Sequence, residues 1–352
     1  MAWRRRSILG AGLTGAGLTG AAIGVARAGT GPGSMPIALT IATGEPGGGF
    51  ALYGAVWGQQ AGKAAHVTVS YRASGGSAAN ILLVEQNAAQ LGLTTLAVAD
   101  QAWRGRDGWT GNVPLRGFRA LFPVFDTTWQ IYARAGGSVR HLDDLAGRRI
   151  GVGPAGGGSA VLTPALLAAA GISPRLSISG LYDEQIDLLR KREIDACAFL
   201  GVTPLPAIRQ DTNHDATRNA ALNATLRAPL GASPGGGFNL IGVSGAQGAA
   251  MRRAVPGLSA MIIPRMSLPG QSVAVTTIGS GAIAIGRADL PDALVGRLTE
   301  AALSQRTALI GAGFAVPDTA WIENNDPIAI HPGAADALRR HGFAAPARLV
   351  RS

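Results

Sequence analysis

From residue 37 onward the chain alternates short β-rich runs, Gly/Ser/Thr turns and helical stretches, a rhythm that predicts an α/β protein built on parallel sheets. Ile37 to Thr43 is the first predicted strand; it runs into Gly44-Glu45-Pro46-Gly47-Gly48-Gly49, after which Leu52, Val56 and Trp57 mark a helix. Val67 to Arg72 is the second strand, followed by Ala73-Ser74-Gly75-Gly76-Ser77, with Ser77 as N-cap of a helix through Asn80, Leu83 and Val84. Gln90 to Thr94 is the third, leading through Thr94-Thr95 to a helix toward Trp103. Three successive units therefore point their loop tips the same way. In open α/β sheets, ligands sit at the carboxyl ends of strands, beside helix N-termini whose free N–H groups and dipoles favour anions.

A second set follows a long apolar stretch, Ala120 to Ala133, interrupted by Pro123 and suited to crossing between lobes. Leu142 to Gly147 reads as a short helix ending at a glycine, Arg149 to Val152 as a strand feeding Gly153-Pro154-Ala155-Gly156-Gly157-Gly158-Ser159, and a helix reaches Ala170. Pro164 complicates that helix: either Ser159 caps it and the proline lies inside, or Thr163 caps it with Pro164 at the first position, the cheaper arrangement. A strand near Leu176 to Ile178, a helix from Asp183 to Arg192 and a strand from Ile194 to Leu200, closed by Gly201-Val202-Thr203-Pro204, come next. Residues 211–235 read as a polar surface excursion. Val273 to Ile285 is continuous enough for a buried returning strand, and Leu290-Pro291-Asp292 opens a helix from Ala293 to about Ala308.

The ends set the expected compartment. Arg4, Arg5 and Arg6, a small apolar stretch from Ile8 to Val25 and Ala26-Arg27-Ala28 predict a signal peptide over 1–28. Arg5-Arg6-Ser7-Ile8-Leu9 fits a twin-arginine signal and an ordinary Sec signal alike, so a periplasmic location is expected by either route. Loss of four arginines and no acids lowers the formal charge from +10 to +6, spread thinly with few aromatics, which argues against a nucleic-acid surface and suits a protein whose solute is an anion. The single cysteine, Cys197, excludes an internal disulfide scaffold.

Candidate chemistry is sparse. Gly151-Val152-Gly153-Pro154-Ala155-Gly156 is a literal G-x-G-x-x-G after a strand, but no ribose-binding acid ends the next strand, Asp183 being displaced from that position. The same loop can instead capture an anion on backbone N–H groups or make a plain tight turn. No G-x-S-x-G, His-Glu-x-x-His or Cys/His cluster occurs, so no catalytic residue, metal site or cofactor is expected. The histidines at 66, 141, 214, 331 and 341 read as surface residues, and Asp143-Asp144 and Asp183-Glu184 as first-turn acids that stabilise helix dipoles. Among the aromatics, Trp57 and Trp103 belong to a core, whereas Phe50 and Tyr53 directly follow a candidate binding loop.

In order along nearly the whole chain, Ile41-Ala42-Thr43-Gly44 with Gly47-Gly48-Gly49, Ser74-Gly75-Gly76-Ser77 with Asn80-Ile81, Leu145 to Gly153, Ile194-Asp195-Ala196, Gly201 with Pro204 and Pro206-Ala207-Ile208, Leu268-Pro269-Gly270-Gln271, Arg287 to Pro291 and His331-Pro332-Gly333-Ala334 form a pattern. It resembles the TAXI-type solute receptors of TRAP transporters, the tripartite ATP-independent periplasmic systems. The resemblance implies an α/β, periplasmic-binding-protein-like type II fold: two lobes with parallel-rich sheets joined by crossing hinge strands. Lobe I would take 29–126 and the return segment 279–352, and lobe II 127–278. It further implies a periplasmic receptor for a small carboxylate, glutamate-like or a dicarboxylate, that partners the membrane permease subunits of an ion-driven TRAP transporter. One departure is Thr95-Leu96-Ala97, where such receptors carry a Gln-Ser-Asp-like run, and another is Glu45-Pro46, whose carboxylate would oppose an anion.

The expected ligand-binding set is Thr43, Gly48, Gly49, Phe50, Tyr53, Ser74, Gly76, Ser77 and Thr95 from one lobe, with Gly157, Ser159 and Thr203 closing from the other. Hinge closure would follow from a ligand touching both lobes at once. The competing readings are a sensory receptor serving a membrane kinase and, with less support, an enzyme on the same scaffold.

Overall fold

A computed structural model describes residues 37–105, 107–203, 205, 237–267, 271–304, 319, 321–322 and 328–351. The expected signal at 1–28, the excursion at 211–235, His214, Pro204, Pro206-Ala207-Ile208, Leu268-Pro269-Gly270 and the end of the last long helix lie outside them. Three β/α units open the fold: β1 (Ala38–Ala42), α1 (Gly49–Ala65), β2 (Thr68–Arg72), α2 (Ser77–Glu85), β3 (Leu91–Thr95) and α3 (Leu96–Arg104). A 17-residue strand, β4 (Phe118–Arg134), leads to β5 (Arg149–Gly151), α4 (Gly158–Ala169), β6 (Leu176–Ile178), α5 (Tyr182–Arg190) and β7 (Ala196–Gly201). Then come β8 (Phe238–Ile241), α6 (Gly245–Ala254), β9 (Ser259–Ile263), β10 (Val275–Arg287), α7 (Asp292–Ser304) and α8 (Pro332–Arg340).

One sheet carries these strands in the order β2-β1-β3-β10-β4-β7-β5-β6, with β8 beside β4 and β9 beside β10. Its two wings are parallel, β2-β1-β3 and β7-β5-β6, and the long strands β4 and β10 join them in antiparallel register. From Phe118 to Thr128 β4 pairs with β10; from Thr128 onward it pairs with β7. On β10 the switch falls at Gly279, which pairs with both Thr128 and Ser259. The crossing strands therefore change partners at one level, and the sheet divides there into two halves. Pro123 is tolerated because the pairing slips beside it: Asp126 faces Gly281 and Pro123 faces Ile283, three steps on β4 matching two on β10.

Burial explains the strands' composition. Most residues of β4 and β10 are buried, as expected for strands covered on both faces. On α1 the buried face is Tyr53, Trp57, Ala61 and Ala65, with Gly54 and Gly58 letting the helix lie close to the sheet. Val56, expected on that face, is exposed. Trp57 packs edge-on against Phe122 at 5.1 Å and donates its Nε1–H to the Leu298 carbonyl, and Trp103 packs edge-on against Phe118 at 5.4 Å.

Three local expectations are corrected. Ser77 is the first residue of α2 and not its cap; Gly76 holds that place at φ +117°, a backbone conformation that a side chain resists. Pro164 lies inside α4, on its exposed side, and neither Ser159 nor Thr163 caps the helix. Both hydroxyls serve tertiary contacts instead, Ser159 Oγ accepting the Leu200 N–H at 2.6 Å and Thr163 Oγ1 the Trp129 Nε1–H at 3.2 Å, and these anchor the first turns of α4 to β7 and β4. His331 is buried and not at the surface: its Nδ1 accepts the Gly333 N–H at 3.2 Å as N-cap of α8, and burial lowers its pKa, keeping the ring neutral.

Candidate functional site

The loops that end β1, β2 and β3 are tied together by one side chain. Asn80, fully buried on α2, donates to the Leu93 carbonyl at 2.6 Å and to the Thr43 carbonyl, while the Ser74 hydroxyl donates to its Oδ1 at 2.6 Å. Ser74 Oγ in turn accepts the Gly76 N–H at 3.0 Å, and Thr94 Oγ1 donates to the Ser77 carbonyl at 3.1 Å. These bonds fix the three loop tips relative to one another and use up the polar atoms of Thr43 and Ser74, whose hydroxyl donates to the Arg72 carbonyl in the first case.

Above those tips lies a cavity of about 740 Å³, counting its open mouth. One side is the run from Gly44 to Phe50 with Gly75, Gly76, Ser77 and Thr95, and Phe125 and Thr127 of β4 form the floor. Gly158, Tyr182, Asp183, Leu200, Gly201, Val202 and Leu205 wall it from the other half. Of the predicted set, Gly48, Gly49, Phe50, Gly76, Ser77 and Thr95 are on the wall.

Six others are not, each for a visible reason. Thr43 and Ser74 are committed to the loop bonds. Tyr53 is one turn behind Phe50, buried and edge-on to Phe125 at 5.8 Å, so only Phe50 faces the cavity. Ser159 is buried under Leu200, and Thr203 Oγ1 hydrogen-bonds to Thr128 Oγ1. Gly157 stands behind the Gly75-Gly76 tip, where a Cβ would sit 2.8 Å from the Gly75 carbonyl oxygen. Sequence reasoning did not find Phe125, Thr127, Tyr182, Asp183, Leu200, Val202 or Leu205. For Tyr182, Asp183, Leu200, Val202 and Leu205 the signal was their position beside the strand ends of the second wing, whereas Phe125 and Thr127 lie inside the crossing strand β4 and carry no such mark.

The two halves meet at the cavity rim. The Gly156 carbonyl accepts the N–H groups of Ala78 and Ala79 at 2.9 and 3.0 Å, so the free donors at the start of α2 are satisfied by the facing loop. The G-x-G-x-x-G run thus presents a carbonyl across the cleft. At the starts of α1 and α4 the caps are Gly48 and Gly157, which have no side chain to offer, and the first turns of both helices border the cavity.

Glu45 makes the third bridge. Its carboxylate reaches the start of α5, accepting the Tyr182 N–H at 3.3 Å to each oxygen. Burial raises its pKa to about 7; the Tyr182 N–H opposes the rise, and the neighbouring carboxylates of Asp183 and Glu184 add to it. Burial and Asp187 also raise Asp183, against the pull of Arg190. No Lys, Arg or His is among the described residues that wall the cavity.

The sign of the pH effect follows. An acid whose folded pKa lies above its unfolded value favours the folded state when protonated and opposes it when charged. Stability contributed at Glu45 is therefore present at acid pH and lost as pH rises from about 4.5 toward 7. Thermal melts between pH 5 and 8 should show Glu45→Gln matching the parent at the acid end and exceeding it at the alkaline end; parallel curves would refute the assignment.

Among the described residues no helix is long and apolar enough to cross a membrane, and no three His, Cys, Asp or Glu side chains group to hold a metal. A model of the NMT1-like family matches residues 41–342. Among solved structures the chain is similar to MatC from Rhodopseudomonas palustris with bound malate, at 14% identity over 87% of this chain and 97% of that one, TM-score 0.51. It is also similar to an arginine transport-system periplasmic binding protein from Legionella pneumophila, at 13% identity over 79% of this chain and 99% of that one, TM-score 0.46. The GluR0 ligand-binding core from Nostoc punctiforme with L-glutamate matches at 14% over 83% and 100%, TM-score 0.45. The architecture is the two-lobed α/β type II fold of periplasmic binding proteins.

Proposed function

The chain belongs to the NMT1-like family, and we propose that it is an exported solute receptor that closes on a small carboxylate and passes it to a membrane permease. The observation that carries this reading is the cavity between the two halves of the sheet, onto which α1 and α4 open with glycine caps and no side-chain acceptor. N–H groups of a helix's first turn have no partner within the helix, and the macrodipole favours negative charge there. A ligand carboxylate accepting from the first turns of α1 and α4, flanked by the hydroxyl of Ser77, would contact both halves at once and so favour closure. The walls of Phe50, Phe125, Leu200, Val202 and Leu205 suit a short carbon skeleton. That a similarly folded protein holds malate agrees with this class.

In this reading the lobes are 29–126 with 279–352 and 127–278, and the hinge is the partner switch at Thr128 and Gly279. Residues 1–28 direct export by a twin-arginine-like or Sec signal, and delivery is to a TRAP permease driven by an ion gradient. Binding, without catalysis, is the activity. Calorimetry against dicarboxylates, 2-oxo acids and amino acids tests it. Saturable heat with at least one acid is the expected result; silence with every acid alongside binding of a neutral solute would overturn it.

A further inference from the structure

The side chains around this cavity sort by chemistry. Phe50 from one half and Leu200, Val202 and Leu205 from the other gather about Phe125 of the crossing strand, so hydrocarbon spans the cleft. The ring centroids of Phe50 and Phe125 are 5.8 Å apart, and a Cβ built at Gly49 would fall 2.9 Å from Val202 Cγ1 and 3.2 Å from Phe125 Cζ. A carboxylate accepting at the start of α1 therefore has hydrocarbon immediately beside it. At the start of α4 a Cβ built at Gly158 would fall 3.1 Å from Ser77 Oγ, across the cleft, and 3.2 Å from Leu200 Cδ2. Backbone donors and a hydroxyl meet there, and the apolar wall begins at the next side chain. Glu45 and Asp183, one from each half, are also on the wall and oppose a further negative charge. A second carboxylate on the solute would lie against hydrocarbon or against these acids, and each placement strips its water at a cost.

We propose that the receptor selects a monocarboxylate with a hydrocarbon tail, its head accepting beside Ser77 and its tail lying against the apolar wall, and that Glu45 helps to turn dicarboxylates away. The inference rests on the receptor reading above and deepens it. It departs from the glutamate-like or dicarboxylate solute that the sequence pattern implied, and the reason is one of magnitude. Burying a tail methylene is worth about fourfold in affinity, whereas a desolvated charge without a partner costs far more than several methylenes return. A tail touching Phe50 on one side and Leu200 and Val202 on the other also joins the two halves, so part of the drive to closure does not depend on charge.

Calorimetry on the full chain at pH 8, where Glu45 is mostly charged, supplies the test. Acetate, butyrate and hexanoate form a length series, adipate carries a carboxylate at each end of the hexanoate chain, and hexanol is the tail without the acid. Affinity should rise about fourfold per methylene until the tail fills the cavity, and hexanoate should bind roughly tenfold or more tighter than adipate. Val202→Thr, which keeps the shape and adds a hydroxyl, should flatten the length series. Glu45→Gln should narrow the gap between hexanoate and adipate severalfold while leaving that series in place. Adipate binding as tightly as hexanoate, or no rise with length, overturns the monocarboxylate while leaving the receptor reading standing, and a gap unchanged by Glu45→Gln removes Glu45 from the selection. Hexanol binding as tightly as hexanoate overturns the carboxylate reading instead, and this inference with it.

Discussion

Gly75→Ala is expected to hold the two halves apart and to weaken ligand binding roughly a hundredfold, with each half still folded. A Cβ built at Gly75 falls 1.8 Å from the Ala155 carbonyl oxygen, well inside any real contact. The clash is with backbone, so no rotamer change relieves it. Gly75 lies on the loop after β2 and Ala155 on the loop after β5, in facing wings, so the only economical relief is to separate the loops. Separation also breaks the bonds from Ala78 and Ala79 to the Gly156 carbonyl. Overpacking a fitted contact costs about 1–3 kcal/mol, and a backbone collision belongs at the upper end. An affinity measured for the closed state falls by the fraction still able to close. Small-angle scattering should show a larger radius of gyration, and calorimetry a weaker binding constant for whichever acid the parent binds. Ala155→Gly should not rescue it, since the offending atom is the carbonyl oxygen. Unchanged scattering together with unchanged affinity would refute the argument.

The second large effect concerns stability. Asn80→Ala should cost about 3–5 kcal/mol, because it strips the donors from two carbonyls, Thr43 just after β1 and Leu93 within β3, and the acceptor from Ser74. Each buried group left without a partner costs about 1–3 kcal/mol. Asn80→Asp should be worse near neutrality, since a carboxylate would face two carbonyl oxygens in a buried site. Its folded pKa would lie above the unfolded value, so that penalty shrinks as pH falls and protonation returns one donor. Urea unfolding at pH 5 and 7.5 reads both effects; a loss under 1 kcal/mol for Asn80→Ala at either pH would show that the carbonyls find other partners.

What was legible in the chain was its alternation. The first three strands and helices, β5 to β7 and β10 follow from short β-rich runs separated by glycine and serine turns. The region from β8 to β9 did not stand out, because Phe238–Ile241 and Ser259–Ile263 are four- and five-residue runs flanking a helix rich in glycine and alanine. Placing binding loops at strand ends put half of the expected residues on the cavity wall, and missed the wall where a hydroxyl serves the fold. Ser74, Ser159 and Thr203 are polar, near a glycine loop and at a strand or helix end, which is also where a residue is best placed to tie loops together. No local pattern announces Tyr182 as the partner of Glu45, since 137 positions separate them and only the sheet brings them together. The local sign at that place is Glu45 itself, a carboxylate set in a glycine-rich loop at the cavity.

The pairing of β3 with β10 bears on how the chain is made. Thr95 is hydrogen-bonded in register with Ala282, so for most of synthesis the inner edge of β3 has no neighbour. The same holds for β4 along Phe118 to Thr128, whose partner is again β10. An unpaired, apolar strand edge is a template for wrong association, and contacts so distant in sequence close slowly. The portion emerging first is therefore the portion completed last, and until residues 275–287 have emerged the nascent protein depends on being shielded from its neighbours.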